Sequence, residues 1–147
     1  MEILQDCREK KNQHDLVEFY LREQGITLRR VRLEVGDYMF PRGRVSVDLK
    51  KDCEELASDL YRDKKEFNKK YKKCLNYNIK LFVLVEQPMN KMVDLISWKS
   101  THSKMDGMFL LEMIHNIQIS YGVRFVFCEK EKTGEILLKI LKGNYKK

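Results

Sequence analysis

The segment IKLFVLVE, residues 79–86, constrains the fold of this chain more than any other stretch. Its apolar residues do not alternate with polar ones, which is typical of a strand buried on both faces and so of a central, parallel position in a sheet. Helical patterns flank it at residues 52–76 and 106–122. A second apolar strand pattern at residues 123–128 and a helical pattern at residues 133–143 follow. This alternation predicts an α/β protein whose sheet is covered by helices on both faces.

The first third of the chain predicts further strands. Residues 2–6 form a short apolar strand pattern, and residues 14–25 an amphipathic helix that ends at a glycine. Residues 26–35 alternate imperfectly around three arginines, which indicates a strand with one solvent-facing side. Residues 38–40 and 44–50 predict two antiparallel segments joined by a short turn.

The composition is that of a globular chain. Of the 147 residues, 43% are hydrophobic and 35% charged, so we expect a single domain over residues 1–147, without linkers or repeats. The net charge of +7 suits an anionic partner such as DNA, and it equally suits a merely soluble, lysine-rich surface. We find no apolar run long enough for a signal peptide or a membrane span, and therefore expect a cytoplasmic protein.

Polar and apolar residues alternate along residues 44–50. The pleat therefore sends Asp48 and Lys50 to one shared polar face, with about 7 Å between their α-carbons. Such a pair is most often an ordinary surface ion pair. Asp6 at the end of the first predicted strand and Asp37 before the hairpin favour another interpretation, because neighbouring strands would bring these carboxylates to one edge of the sheet.

Converging carboxylates repel one another unless a cation lies between them. Oxygen ligands of this kind suit Mg²⁺ or Mn²⁺. The histidines are isolated and the four cysteines form no C-x-x-C pair, which argues against zinc and against disulfides, so we expect reduced, mostly buried thiols. A metal here would lower the pKa of a bound water and neutralise charge on a phosphate, while Lys50 holds or deprotonates the attacking water. The residues alone thus indicate phosphodiester hydrolysis.

Three motifs, ILQDCREKK, VRLEVGDYMF and VSVDLKKDCEEL, occur in this order along the chain. Together they resemble the nuclease domain of the xeroderma-pigmentosum-group-F type, a branch of the PD-(D/E)xK restriction-like nucleases. The family pattern is Asp-x-Arg-Glu after the first strand, a Gly-Asp turn, and acid-Arg-Lys with a further acid four residues beyond the lysine. The likeness covers about residues 2–86, and it implies a restriction-endonuclease-like central mixed β-sheet flanked by helices on both faces.

The resemblance also implies roles for individual residues. Asp37 and Asp48 would be the metal ligands of a Mg²⁺- or Mn²⁺-dependent DNA endonuclease, and Lys50 would position the attacking water. Asp6 and Glu9 would assist them as catalytic residues.

The third motif departs from the family pattern in two ways. Leu49 stands where the family usually has arginine, and the pleat turns it inward, so a phosphate contact has moved to Lys51 or been lost. Asp48 replaces the more usual glutamate and has a shorter side chain. Glu54 takes the place of the trailing acid and would support the site.

Basic residues for DNA are concentrated in the helical pattern over residues 52–76, which we expect to be interrupted near Arg62 and Asp63. They are Arg62, Lys64, Lys65, Lys69, Lys70, Lys72 and Lys73. Because this helix directly follows the D-x-K strand, phosphate contact is favoured over a merely solvated lysine face. The predicted DNA contacts are Arg8, Lys51, Arg62, Lys64, Lys65 and Lys69. Trp98, in a polar loop, would either stack on an unpaired base or fill a crevice.

We therefore expect an endonuclease that acts on nicked, flapped, branched or otherwise structured duplex DNA. The alternatives are a catalytically inactive nuclease-fold module that binds DNA or scaffolds a partner, and a Holliday-junction resolvase or site-specific nicking enzyme. The retained Asp37, Asp48 and Lys50 favour the enzyme.

The sequence ends without the tandem helix-hairpin-helix module of larger family members. Specificity would then come from this domain, from a homodimer, or from a partner protein. The resemblance implies that a homodimer would form near Met108 to Ile117, but the same apolar stripe is equally typical of core. A composition rich in Lys, Asn and Ile favours a phage or mobile-element protein of a low-GC bacterium.

Overall fold

The computed structural model describes residues 1–8, 14–62, 64–89 and 92–146; for residues 62, 64–68, 92 and 93 it describes the backbone only. The strands are β1 (Glu2–Asp6), β2 (Thr27–Val31), β3 (Tyr38–Met39), β4 (Val45–Lys50), β5 (Lys80–Val85) and β6 (Arg124–Phe127). The helices are α1 (Asp15–Glu23), α2 (Cys53–Arg62), α3 (Lys64–Asn76), α4 (Met92–Ile96), α5 (Gly107–Tyr121) and α6 (Thr133–Leu141), with a short 3₁₀ turn at Lys130–Lys132.

The strands form one mixed sheet in the order β2-β1-β3-β4-β5-β6. Strand β1 is parallel to β2, and β4, β5 and β6 are parallel to one another. Strand β3 is antiparallel to both β1 and β4. Strands β1 and β4 therefore run in the same direction, so their carboxyl ends and the start of β3 meet at one edge of the sheet.

Strand β5 lies inside the sheet between β4 and β6, as its unbroken apolar run predicts. Leu81 and Val83 pack into the hydrophobic cluster on one face, with α2, α3, α4 and α5. Phe82 and Leu84 pack into the cluster on the other face, with α1 and α6. Burying one such side chain fully is worth about 1.5–3 kcal/mol, so a strand apolar on both faces is stable only between two helical layers. The predicted fold class is thus confirmed.

The predicted helix over residues 52–76 is present as α2 and α3, which are described over Cys53–Arg62 and Lys64–Asn76. The interruption expected near Arg62 and Asp63 lies outside the described residues. At the start of α2, an Asp52 carboxylate oxygen accepts a hydrogen bond from the Glu55 amide at 2.8 Å, which satisfies one of the donors that a helix start leaves open. None of the helices within the described residues is both long and apolar enough to span a membrane.

The four cysteines are free thiols, and Cys53, Cys74 and Cys128 are buried while Cys7 is exposed. The burial of three of the four agrees with the expectation of mostly buried thiols.

Strand β2 is shorter than the predicted strand over residues 26–35 and forms one edge of the sheet. Its arginines are engaged by the neighbouring strand: Arg29 donates to a Glu2 carboxylate at 3.1 Å, and Arg30 donates to the Gln5 side-chain oxygen at 3.3 Å. Thr27, Arg29 and Arg30 are all exposed, so solvent reaches both faces rather than the single face expected. Beyond Val31 the chain leaves the sheet as a loop.

Candidate active site

The predicted catalytic residues lie where the carboxyl ends of β1 and β4 meet the start of β3. Asp6 is the last residue of β1, Asp37 directly precedes β3, and Asp48 and Lys50 lie in the second half of β4. All four side chains line one open cleft of about 770 Å³. The convergence expected from the strand pattern is therefore present.

Backbone hydrogen bonds fix Asp37 in this position. Its amide donates to the Val47 carbonyl at 2.8 Å, and its carbonyl accepts from the Asp6 amide at 2.8 Å. One Asp37 carboxylate oxygen accepts from the Leu49 amide at 2.9 Å. The Asp37 carboxylate thus faces β4 beside Asp48, because the pairing of β3 with β4 places it there.

The Gly-Asp turn requires its glycine. Gly36 has a φ of 76°, and a Cβ at this position would overlap the hydroxyl of Ser46. The Ser46 hydroxyl donates to the Val35 carbonyl at 2.7 Å and thereby ties the loop to β4. Polar and apolar side chains alternate along β4 as predicted. The polar side chains of Ser46, Asp48 and Lys50 are nevertheless buried, like the apolar ones.

Asp48 is only 4% exposed and lies between two ammonium groups. Lys70 Nζ is 2.5 Å from Asp48 Oδ2, and Lys50 Nζ is 3.7 Å from the same oxygen. Burial would raise the pKa of Asp48, but the charges of Lys70 and then Lys50 outweigh it and hold the pKa well below its usual value. Asp48 is therefore an ionised carboxylate at neutral pH.

The carboxyl groups of Asp37 and Asp48 are in hydrogen-bonding contact, which lowers the pKa of Asp48 further. Neighbouring carboxyl groups repel one another when both are ionised, and a shared proton or nearby cations relieve this repulsion. This contact is the feature of the structure that fits a divalent metal.

Lys50 forms its shortest ion pair with Asp59 of α2, at 2.6 Å between Nζ and Oδ2. Burial lowers the pKa of Lys50, but Asp48 and then Asp59 more than offset this and raise it. Lys50 is therefore a protonated hydrogen-bond donor, which favours holding an oxygen over accepting a proton.

The oxygens of Asp6 are already engaged. Arg8 Nε lies 3.0 and 3.2 Å from the two carboxylate oxygens, and the Leu33 amide donates to one of them at 3.0 Å. Asp6 thus joins the loop after β2 to the site and orients Arg8 into the cleft.

In the part of the chain that the structure describes, no three His, Cys, Asp or Glu side chains form a group that would hold a metal. Mg²⁺ commonly binds through one or two carboxylates and completes its shell with waters and substrate phosphate oxygens. Asp37 and Asp48 fit a metal bound in this way.

Helix α3 forms the basic wall of the cleft, which we define as Lys69, Lys70, Lys72 and Lys73. The buried side chains of Tyr71 and Cys74 pack the helix against the sheet. Lys73 Nζ lies 3.6 Å from Glu34 Oε2 on the opposite side of the cleft.

A family model for the ERCC4 domain matches residues 5–140 of the chain. The chain belongs to the ERCC4 domain family, a family of nuclease domains. The resemblance drawn from the three motifs is thereby confirmed. No curated protein matches the sequence.

This ERCC4 domain has the fold of known XPF structures. It superimposes on XPF from Aeropyrum pernix with a TM-score of 0.72 and 16% identity, over 100% of this chain and 63% of that one. A second structure, XPF from Aeropyrum pernix in complex with DNA, gives a TM-score of 0.72 and 17% identity, over 96% of this chain and 63% of that one. The domain thus spans less than two thirds of either structure.

Two predicted residues of the ERCC4 domain are placed outside the cleft. Glu54 accepts hydrogen bonds from the Ser100 hydroxyl at 2.8 Å and the Thr101 amide at 2.5 Å. It lines a second pocket together with Lys51. The structure therefore does not bring Glu54 to the carboxylates or Lys51 to the position of the missing arginine. Leu49 itself is buried in the core, as the pleat predicts.

Of the predicted DNA contacts, Arg8 and Lys69 line the cleft. Glu9 lies outside the described residues, as do the side chains of Arg62, Lys64 and Lys65. Trp98 packs against the hydrophobic cluster under α5, which agrees with the crevice-filling interpretation.

Sequence reasoning did not single out Asp59 or Lys70. Asp59 lies one helical turn beyond Glu55 on α2, and Lys70 stands among many lysines of α3. The helical period groups Asp59 with Glu55, but it does not indicate which side of α2 faces Lys50.

Proposed function

We propose that this ERCC4 domain is a Mg²⁺- or Mn²⁺-dependent endonuclease that hydrolyses phosphodiester bonds in nicked, flapped, branched or otherwise structured duplex DNA. The observation that carries the proposal is the contact between the Asp37 and Asp48 carboxyl groups, with Lys50 3.7 Å from Asp48, in an open cleft lined by the basic wall. A carboxylate pair next to fixed ammonium groups suits a phosphate held by a metal.

In this proposal Asp37 and Asp48 hold the divalent cation, which would polarise the phosphate and lower the pKa of a water. The protonated Lys50 donates a hydrogen bond to the attacking water or to a phosphate oxygen, and Asp59 fixes its ammonium group. Asp6 assists by orienting Arg8 towards the DNA backbone. Glu9 remains a proposed assisting acid from its motif.

We infer that the partner is DNA because the basic wall and Arg8 line the same cleft as the carboxylates. Lysine and arginine contacts to phosphates give affinity without reading sequence, which suits recognition of DNA structure. One of the similar structures is a complex with DNA, and this supports the same partner here. Arg62, Lys64 and Lys65 remain DNA contacts proposed from the sequence.

We infer further that α5 pairs with a second copy of the chain or with a partner protein. Met108 is 56% and Ile119 71% exposed on this helix, and Phe109 contacts the exposed ring of Tyr61. Single apolar side chains are common on surfaces, but two exposed ones on the same helix, beside the partly exposed Phe109, favour a protein contact.

A second candidate function is a DNA-binding module without nuclease activity. It is favoured by one observation, namely that two ammonium groups already neutralise Asp48. A DNA-binding cleft of this kind would be stable without any metal.

The test is incubation of the purified protein with a panel of labelled DNAs: supercoiled plasmid, linear duplex, single strand, flap, fork and four-way junction. Each DNA is tested with Mg²⁺, Mn²⁺ or EDTA, using the wild type, Asp48→Asn and Glu129→Gln. Glu129→Gln is the control, because it removes an exposed carboxylate that does not line the cleft. Metal-dependent cleavage that Asp48→Asn abolishes and Glu129→Gln retains supports the endonuclease. Binding without cleavage of any substrate would favour the inactive module.

A further inference from the structure

Lys70 is in direct contact with Asp48, one of the two proposed metal ligands. Its ammonium lies 2.5 Å from Asp48 Oδ2, whereas Lys50, the lysine of the D-x-K motif, is 3.7 Å away and closer to Asp59. The nearest cation to the proposed metal ligand therefore comes from α3 and not from the motif.

Lys50 and Lys70 differ in how easily their ammonium groups can move away from Asp48. The Lys50 side chain is 11% exposed and held between Asp48 and Asp59, while the Lys70 side chain is 32% exposed at the cleft. A partly exposed ammonium on a flexible side chain loses little interaction free energy when it moves into water or onto another anion. A buried carboxylate, by contrast, needs a counter-cation at all times.

We propose that Lys70 occupies the metal-binding oxygen of Asp48 in the metal-free protein, and that divalent metal binding releases its ammonium to a DNA phosphate in the cleft. The inference rests on the proposed function and assigns Lys70 as a DNA-binding residue that depends on the metal. The exchange is one cation for another on Asp48, so the buried carboxylate is neutralised in both states.

Thermodynamic linkage gives this arrangement a measurable property. A metal that displaces Lys70 frees a positive charge for DNA, and DNA that holds Lys70 removes a competitor of the metal, so each ligand tightens the binding of the other by the same factor. The other lysines of the basic wall contribute to DNA affinity with or without metal, since among the described contacts of Asp48 the ion pairs are with Lys50 and Lys70.

The experiment measures Mn²⁺ binding to the full chain without DNA, by electron paramagnetic resonance of free Mn²⁺. Lys70→Met should bind Mn²⁺ roughly tenfold more tightly than the wild type, the factor expected when a competitor holds the site about nine-tenths of the time. Lys69→Met is the matched control, because it removes the same charge from the neighbouring residue of the same wall; it should change the affinity less than twofold. Lys70→Arg, which keeps a cation on Asp48, should remain close to the wild type.

An unchanged or weaker Mn²⁺ affinity in Lys70→Met would overturn the inference, and so would an equal gain in Lys69→Met. The absence of Mn²⁺ binding from the wild type and from Lys70→Met would overturn it as well. Circular dichroism and thermal unfolding of each variant show whether it is folded, and Lys70→Gln replaces Lys70→Met if the latter is not.

A second measurement compares DNA affinity in Ca²⁺ and in EDTA. The wild type should bind DNA more tightly in Ca²⁺ than in EDTA. Lys70→Met should lose most of this gain in DNA affinity. Lys69→Met should weaken DNA binding in both buffers but keep the gain in affinity from Ca²⁺. An undiminished gain in Lys70→Met would overturn the release step. Neither measurement depends on cleavage, so a chain that cuts no DNA would refute the proposed nuclease and leave the role of Lys70 to be decided by Mn²⁺ and DNA binding.

Discussion

Replacing Gly36 by alanine should cost much more stability than replacing Gly25, although both glycines have nearly the same left-handed backbone. Gly36 has φ 76° and Gly25 has φ 75°. A non-glycine residue pays about 1–2 kcal/mol for this conformation, and the alanine recovers about 0.4–1 kcal/mol by restricting the unfolded chain. We therefore expect Gly25→Ala to lower the free energy of unfolding by at most about 1.6 kcal/mol, since its Cβ would meet no atom within 4 Å.

At Gly36 a further cost arises, because the new Cβ would overlap the Ser46 hydroxyl. That hydroxyl must move and give up its 2.7 Å hydrogen bond to the buried Val35 carbonyl. Leaving a buried polar group unsatisfied costs about 1–3 kcal/mol. The expected total for Gly36→Ala is thus about 1–5 kcal/mol.

Urea unfolding of the two variants and the wild type measures both quantities. The variant Gly36→Ala/Ser46→Ala provides a third test, since removing the hydroxyl removes the overlap; the two changes together should cost less than the sum of their separate costs. Equal destabilisation by Gly36→Ala and Gly25→Ala would refute the steric reasoning.

Three further predictions concern the site. Asp59→Asn should lower kcat about tenfold, equivalent to about 1.4 kcal/mol, with little change in KM, because Lys50 loses its 2.6 Å partner; an unchanged kcat in single-turnover assays would count against the role of Asp59. Lys69→Met should reduce the slope of log K against log salt for DNA binding by about 1, and a parallel shift without a slope change would contradict phosphate contact. Burial raises the pKa of the Cys53 thiol to about 12, so this thiol is uncharged at pH 8. Of the exposed Cys7 and the buried Cys53, iodoacetamide should therefore label only Cys7, as mass spectrometry would show. Labelling of both cysteines at equal rates would argue against the burial of Cys53.

The strands and the position of the carboxylates were predictable from the sequence because both follow from short-range patterns. The alternation along β4 places Asp48 and Lys50 on one face, and the unbroken apolar run of β5 requires two covering layers. Asp37 was placed near β4 from its position beside the predicted hairpin, and the structure adds that Gly36 packs tightly against Ser46 there.

The partners supplied by helices were not predictable in the same way. Leu56 and Leu60 are buried and fix the rotation of α2, which turns Glu54 towards Ser100 and Asp59 towards Lys50. One residue along a helix changes the direction of a side chain by about 100°. A spacing of four residues counted from a strand into a helix therefore does not determine where the acid points, since the rotation is set by tertiary packing.

The same packing explains why Lys70 was not separated from its neighbours. Tyr71 and Cys74 are buried and hold one face of α3 against the sheet. The lysines on either side of Tyr71 have equivalent positions in the sequence pattern, and only the approach of α3 to β4 brings Lys70 to Asp48.

The arginines that interrupt the strand pattern of β2 have a consequence for the solution behaviour of the protein. An edge strand offers unpaired backbone groups to the edge of another molecule, and long charged side chains on such a strand prevent this association. Arg29 and Arg30 lie exposed on the edge, anchored to Glu2 and Gln5 of the strand behind it. The residues that weaken the strand pattern thus protect the sheet from growing into aggregates through its open edge.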